Sequence, residues 1–178
     1  SGYYSAYQNT GDNVTALGRQ SAYQNSGANL TVIGTEASRY RNAPNSTIIG
    51  YQAGYGQPST RATTSNNLIL GYQSGYSIKT SADNNILLGY QAADSLTTGA
   101  NNIIIGYDVE APSNTADNQL NIGNLIFSEG IDGVGTSLSS GNIGIGTTSP
   151  YAKLSVDGDL ALTGGIYDNS ASLGTAGM

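Results

Sequence analysis

Cysteine, histidine and tryptophan are absent from these 178 residues, methionine and phenylalanine occur once each, and only 10% of the chain is charged. Without Cys and His, the commonest zinc and copper ligands are missing, together with the thiol nucleophile and the imidazole base. Most familiar enzyme mechanisms are thereby unavailable. The lack of cysteine does not assign a redox compartment, since such a chain neither forms disulfides nor needs reducing conditions. No apolar run approaches the roughly 18 residues of a membrane span, and no basic segment followed by an apolar stretch opens the chain. Any export signal or anchor is therefore expected outside these residues. Basic residues are scarce too: 6 Lys and Arg stand against 12 Asp and Glu, a net charge of -6. Arg19, Arg39, Arg41, Arg61 and Lys79 face only Asp12, Glu36 and Asp83 in the first half, whereas Lys153 alone faces the acids of the second. Neither half carries a basic stripe with interleaved aromatics, so nucleic acid is not an expected partner.

What is abundant is glycine, with 25 residues, and tyrosine, with 13. Glycine recurs at Gly2, Gly18, Gly34, Gly50, Gly71, Gly89, Gly106 and Gly123, at intervals of 16, 16, 16, 21, 18, 17 and 17 residues. Five residues before each, from Gly18 onward, stands an asparagine: Asn13, Asn29, Asn45, Asn66, Asn84, Asn101 and Asn118. Such periods are those of a solenoid, whose single turn cannot bury its own apolar face and is stabilised by stacking. Gly2 to Asn9 aligns with Gly18 to Asn25, so the chain is expected to begin inside a repeat, with further flanks beyond.

The clearest units are Asn66-Asn67-Leu68-Ile69-Leu70-Gly71-Tyr72, Asn84-Asn85-Ile86-Leu87-Leu88-Gly89-Tyr90 and Asn101-Asn102-Ile103-Ile104-Ile105-Gly106-Tyr107. Apolar, branched runs bounded by Asn and Gly read as short strands, and nothing is long enough for a helix. A turn of 16 to 21 residues has room for two short strands and two turns. Because side chains alternate, Ile103 and Ile105 share one face and Ile104 the other, and both faces are apolar. One face lines the narrow interior; the second needs an external cover, most economically further copies of the same chain around a closed axis. Ile33, Ile49, Leu70, Leu87, Leu88, Ile104 and Ile105 are accordingly the expected assembly core. Thr15, Thr31 and Thr47 stand where later repeats have Leu68, Ile86 and Ile103, implying either a wetter interface or a ladder of hydroxyls between turns, with the ladder preferred.

Asn tolerates left-handed backbone, and stacked amides can hydrogen-bond from turn to turn. The Asn and Gly columns are therefore read as a structural ladder. Asn13-Val14-Thr15, Asn29-Leu30-Thr31 and Asn45-Ser46-Thr47 also spell glycosylation acceptors, a reading that the ladder outweighs. Tyr51, Tyr72, Tyr90 and Tyr107 follow the glycines directly, and Tyr7, Tyr23, Tyr55 and Tyr76 come five residues after them. Stacked ladders are the preferred reading; a platform for sugar or protein is the alternative. After Gly123 the register blurs, and Asp157-Gly158-Asp159, between Lys153 to Val156 and Leu160 to Leu162, signals a hairpin. Residues 1–124 thus read as β-roll repeats, and 125–178 as an irregular β cap or neck leading to a C-terminal region not present.

Asn-Asn-Ile-Leu-Leu-Gly-Tyr-Gln-Ala at residues 84–92 resembles the head repeats of trimeric autotransporter adhesins and related trimeric bacterial or phage surface fibres. The stretch Gly141 to Leu154 is similar to the segment that often precedes a coiled-coil or chaperone domain in such fibres. The resemblance implies parallel β-rolls, left-handed and intertwined or side by side as homotrimers, displayed outside a cell or on a virion. The period here is longer and less even than in the best-known adhesin heads.

Catalytic and cofactor motifs are lacking. Gly133-Val134-Gly135-Thr136-Ser137-Leu138 fails the dinucleotide fingerprint at its last position, and Asp108 with Glu110 or Asp157 with Asp159 read as solvated loops rather than a glycosidase pair. Asp117 and Asp132 lack the acidic spacing of a calcium loop. No cofactor and no metal are expected. The sequence therefore points to a non-enzymatic, structural and adhesive fibre segment, extracellular, whose partners are its own copies and a host, cell-surface or matrix protein or glycan. The alternative is the subunit of an extracellular filament joined end to end. The longest turns, Gln57 to Ser65 and Ile78 to Asp83, are the expected contact surface, with Arg61, Lys79, Tyr55 and Tyr76.

Overall fold

The computed structural model describes residues 2–59, 61–161 and 163. Among these there is no helix: the chain is all β, as its repeats imply. Seven short strands, β1 Val14–Leu17, β2 Leu30–Ile33, β3 Thr47–Ile49, β4 Leu68–Leu70, β5 Ile86–Leu88, β6 Ile103–Ile105 and β7 Gln119–Ile122, stack in sequence order. Each is parallel and in register with the next, so Thr31, Thr47, Leu68, Ile86, Ile103 and Leu120 form one column. This is a parallel β-solenoid of about six turns. The interval of 21 residues between Gly50 and Gly71 leaves the register unchanged, because Asn45 and Asn66 re-enter the strand at the same point and the surplus lies in the loop before it.

The middle residue of each strand points inward. Val32, Ile48, Ile69, Leu87 and Ile104 are fully buried in one interior column, while their neighbours on either side face outward and are partly exposed. Each such burial is worth about 1.5–3 kcal/mol relative to leaving the side chain in water.

The far side of each coil is not a second strand, contrary to the two strands per turn expected from its length. There the backbone alternates in hand: Gln20, Ala22 and Gln24 have positive φ, as do Glu36, Ser38 and Tyr40, with right-handed residues between. The N–H groups of the positive-φ residues consequently point alternately up and down the stack, while those between them donate within their own turn, as Ser74 N–H does to Gly71 O. Gln73 N–H donates to Tyr51 O of the preceding turn, and Gly75 N–H to Ala92 O of the following one. Backbone polar groups are thus satisfied between turns without a strand. The inward positions of this run are pairs of small residues, Ser21-Ala22, Ala37-Ser38 and Ala92-Ala93, all fully buried. Larger side chains would not fit opposite the isoleucine column, and their absence is what brings the two sides together.

The glycine that leaves each strand has φ between 132° and 147° from Gly18 to Gly106. A Cβ on Gly89 would lie 1.9 Å from Gly106 O, so neighbouring turns approach through the space that a side chain would fill. Gly123 differs, with φ of 60° and open space around it. With Asn124, also at positive φ, it makes a two-residue turn closed by Leu125 N–H to Ile122 O, 3.1 Å. Both central residues being left-handed is the geometry that suits a hairpin.

β8, Ile126–Glu129, therefore returns antiparallel along β7; β9, Asn142–Ile145, is antiparallel to β8; and β10, Leu154–Val156, is parallel to β9. Among the described residues the hairpin expected around Gly158 is not formed, since Leu160 and Ala161 lie outside any strand; Leu162 is outside the described residues. Asp157 N–H instead donates to Ile145 O, continuing the pairing with β9.

Candidate functional site

The asparagine column is left-handed throughout, with φ of 54–61° from Asn13 to Asn118. Its side-chain amides hydrogen-bond along the rod in two runs, Asn13 to Asn29 to Asn45 at 3.0 and 3.1 Å, and Asn66 to Asn84 to Asn101 at 3.0 Å each. Two further polar ladders were not singled out in the sequence. Gln91 donates to Gln73, Gln73 to Gln52 and Gln52 to Glu36 along the turn side. Inside the coil, the second asparagine of each pair makes a buried ladder: Asn67 Oδ1 accepts from Asn85 N–H at 2.8 Å, and Asn85 Oδ1 from Asn102 N–H at 2.9 Å. The signal for this inner ladder was the doubling of Asn at 66–67, 84–85 and 101–102. No hydroxyl ladder accompanies them: among the described residues Thr15, Thr31 and Thr47 stand in register but none donates to another. Adjacent turns place their hydroxyls on the outward face, where water serves them equally well.

The expected assembly residues divide between two environments. Leu87 and Ile104 are wholly buried within the coil, whereas Ile33, Ile49, Leu70, Leu88 and Ile105 lie in the outward column.

Tyr51, Tyr72, Tyr90 and Tyr107 stack with centroids 5.3, 5.0 and 5.0 Å apart and planes within 15° of parallel. Parallel rings that close must overlap face to face, since coplanar rings would collide. Facing rings therefore cover one another, and the stack leaves edges, hydroxyls and the outer sides of its end rings Tyr51 and Tyr107 uncovered; Tyr107 is 75% exposed. Tyr7 and Tyr23 stack similarly at 5.3 Å, as do Tyr55 and Tyr76 at 5.3 Å, while Tyr40 packs edge-on to both Tyr23 and Tyr55.

Three of the four expected contact residues meet. Tyr55, Tyr76 and Lys79 line a small notch of about 60 Å³, open to solvent, with Gln57, Ser77 and Ile78. Gln57 and Lys79 also line an open hollow of about 330 Å³ with Ala62, Thr80 and Thr98. Arg61 lines neither, but its N–H donates to Gln57 O at 3.2 Å. Behind the notch is Arg41, fully buried, whose Nη2 donates to Tyr55 O and Ile78 O at 2.9 Å each and whose Nη1 donates to Thr64 Oγ1 at 3.2 Å. Its Nε has no partner. Burial pulls the guanidinium down to about 10, so it remains charged at neutral pH. The ion pairs among the described residues, Arg19 with Glu36 and Arg39 with Glu36 at 3.1 Å each, leave Arg41 and Lys79 without a carboxylate partner.

The acids are arranged differently from the sequence reading. Asp108 is exposed, whereas Glu110 is half-buried and hydrogen-bonded to Asp94 of the preceding turn. Burial first, and that shared hydrogen bond second, push the Glu110 carboxyl up to about 7. Asp157 lines a shallow hollow with Tyr151 and Ser155, and Asp132 is held by Ser140. No group of three or more metal-ligating side chains gathers among the described residues, and no helix there is long and apolar enough to cross a membrane. No family model, no curated protein and no solved structure matches the chain.

Proposed function

We propose that this chain is a segment of a non-enzymatic, homotrimeric surface fibre, extracellular on a cell or virion, that attaches through its repetitive sides. The observation that carries the reading is the outward face of the sheet. Ile33, Ile49, Leu70, Leu88 and Ile105 form one uncharged apolar column on it, and Leu68, Ile86 and Ile103 another. Four strand spacings, from Ile33 to Ile105, make this strip roughly 19 Å long. A rod whose interior is already filled by Leu87 and Ile104 has no fold-internal use for a second apolar strip. Cyclic association covers every copy's strip at once and leaves none open, and the repeat resemblance favours three copies. In this reading β8 to β10 serve as the cap or neck, since β8 occupies the edge of β7 with antiparallel pairing. Repetition along a rod supplies reach and avidity for a host, matrix or cell-surface partner.

Native mass measurement tests the reading. A particle of three chains is expected; a stable single chain at micromolar concentration would overturn it. Charge distribution favours one competitor, the end-to-end filament: five Lys and Arg against three acids in residues 1–89, and one Lys against nine acids in residues 90–178, make unlike halves attract when copies meet head to tail. Electron microscopy separates the two, by rods of fixed length or by filaments that shorten as salt is raised.

A further inference from the structure

We propose that the notch between Tyr55 and Tyr76, together with the hollow that adjoins it, binds the acidic end of a saccharide, with the anion at Lys79. The proposal deepens the adhesive reading and rests on it for its biological sense.

The lining of the two spaces is uncharged apart from Lys79. Lys79 lines both, is exposed, and has no acidic partner among the described residues, so its ammonium is free to meet an anion. One peptide unit behind the wall, the Arg41 guanidinium holds the carbonyls of Tyr55 and Ile78 and adds a positive field that no acid neutralises. Tyr55 and Tyr76 stack at 5.3 Å with planes 7° apart, so each covers a face of the other. Such a pair presents ring edge and phenolic hydroxyl, besides the far face of Tyr76, against which no further ring stacks; the edge is the positive part of the aromatic quadrupole and favours a nearby anion.

Shape and polarity narrow the class. A space of about 60 Å³ accommodates on the order of four waters, which suits a carboxylate or sulfate with its nearest hydroxyl rather than a whole ring. The open hollow of about 330 Å³ reached past Gln57 and Lys79 has room for the sugar that carries the group, with Thr80 and Thr98 as hydroxyl partners. Gln57 and Ser77 supply further polar contacts in the notch. A phosphate dianion calls for several converging donors. One accessible ammonium, set among hydroxyls and an amide, matches a monoanion on a polyhydroxyl ligand.

The test is a titration of the whole chain, followed by NMR shifts at Tyr55 and Tyr76 and by calorimetry. The probes are a glucuronate-terminated disaccharide, its neutral glucose-terminated counterpart, its sulfated counterpart, and inorganic phosphate. The acidic sugars should bind about tenfold more tightly than the neutral one, as expected of a hydrogen bond to a charged group, and should weaken as salt is raised. Whichever acidic sugar binds more tightly assigns the group as carboxylate or sulfate. Lys79→Gln should erase the preference without moving the melting temperature, because the side chain is exposed; Gln57→Ala should weaken both acidic sugars. Equal binding of acidic and neutral sugars, binding unaffected by Lys79→Gln, or phosphate binding as tightly as the sugars would overturn the proposal. A trimeric rod indifferent to acidic sugars would sink this inference alone, whereas a monomer that binds them would sink the trimer alone.

Discussion

Residues in the same repeat position differ in what they are required for, and substitution should expose the difference. Gly89→Ala places a Cβ 1.9 Å from Gly106 O at a φ of 136°, so a loss of about 3 kcal/mol or more is expected in urea melts. Gly123→Asn, by contrast, keeps a left-handed turn in open space and should cost less than about 1 kcal/mol. A cost equal to that of Gly89→Ala would show that the two glycines share one role after all. Among the asparagines the inner ladder should matter more. Asn85→Ala removes a buried amide and strands Asn102 N–H, for about 2–3 kcal/mol, while Asn84→Ala removes exposed rungs worth about 1 kcal/mol or less. The repeat spells out that Asn and Gly recur; only the packed coil shows which copy is sealed from water.

At the scale of elements, one strand and one run of alternating-hand turns make each coil, and the strand half was the more legible. Three consecutive apolar residues between Asn and Gly leave little else for the backbone to do. The turn half was misread as a second strand because Gly-Tyr-Gln-Ala carries no pattern of its own; its form depends on N–H groups that alternate between the turns above and below, such as Gln91 to Tyr72 and Ala93 to Val109. The same half carries a pH dependence. Glu110, normally near 4.5, is pushed up to about 7 by burial beside Asp94, so the folded state keeps a proton that the unfolded chain has released. That contribution is present below about pH 4.5 and is lost as the pH rises through 7. Discounted for a half-exposed group, it amounts to about 1–2 kcal/mol. Denaturant melts between these limits should show stability falling with pH, and Glu110→Gln should flatten that fall; an unchanged slope in the variant would place its origin elsewhere.

For the whole molecule, the two faces of the sheet make opposite predictions. Leu87→Asp with Ile104→Asp puts two charges into a sealed interior and should prevent folding of the coil itself, seen as loss of β circular dichroism. Leu88→Asp with Ile105→Asp alters only the outward column. If three chains close over that strip, this variant should retain the β signal but sediment as one chain. A folded trimer that survives it would remove the outward strip from the interface. The sequence reading put all four residues in a single assembly core, because alternation shows that neighbours face opposite ways without showing which way is in.

The sequence alone determined that the chain is a stack: recurring Asn and Gly around branched apolar triplets permit parallel, in-register strands, and a missing imidazole and thiol exclude chemistry that depends on His or Cys. What only the tertiary structure decided was everything that depends on curvature. The direction in which each coil closes made Ile104 core and Ile105 surface, turned Gly123 into the hinge of a hairpin, buried Arg41 behind Tyr55 and Ile78, and brought Tyr55, Tyr76 and Lys79 to one notch. The physical reason is that periodicity fixes which residues share a column, whereas burial depends on the sense of the turn and on what the next coil lays against it.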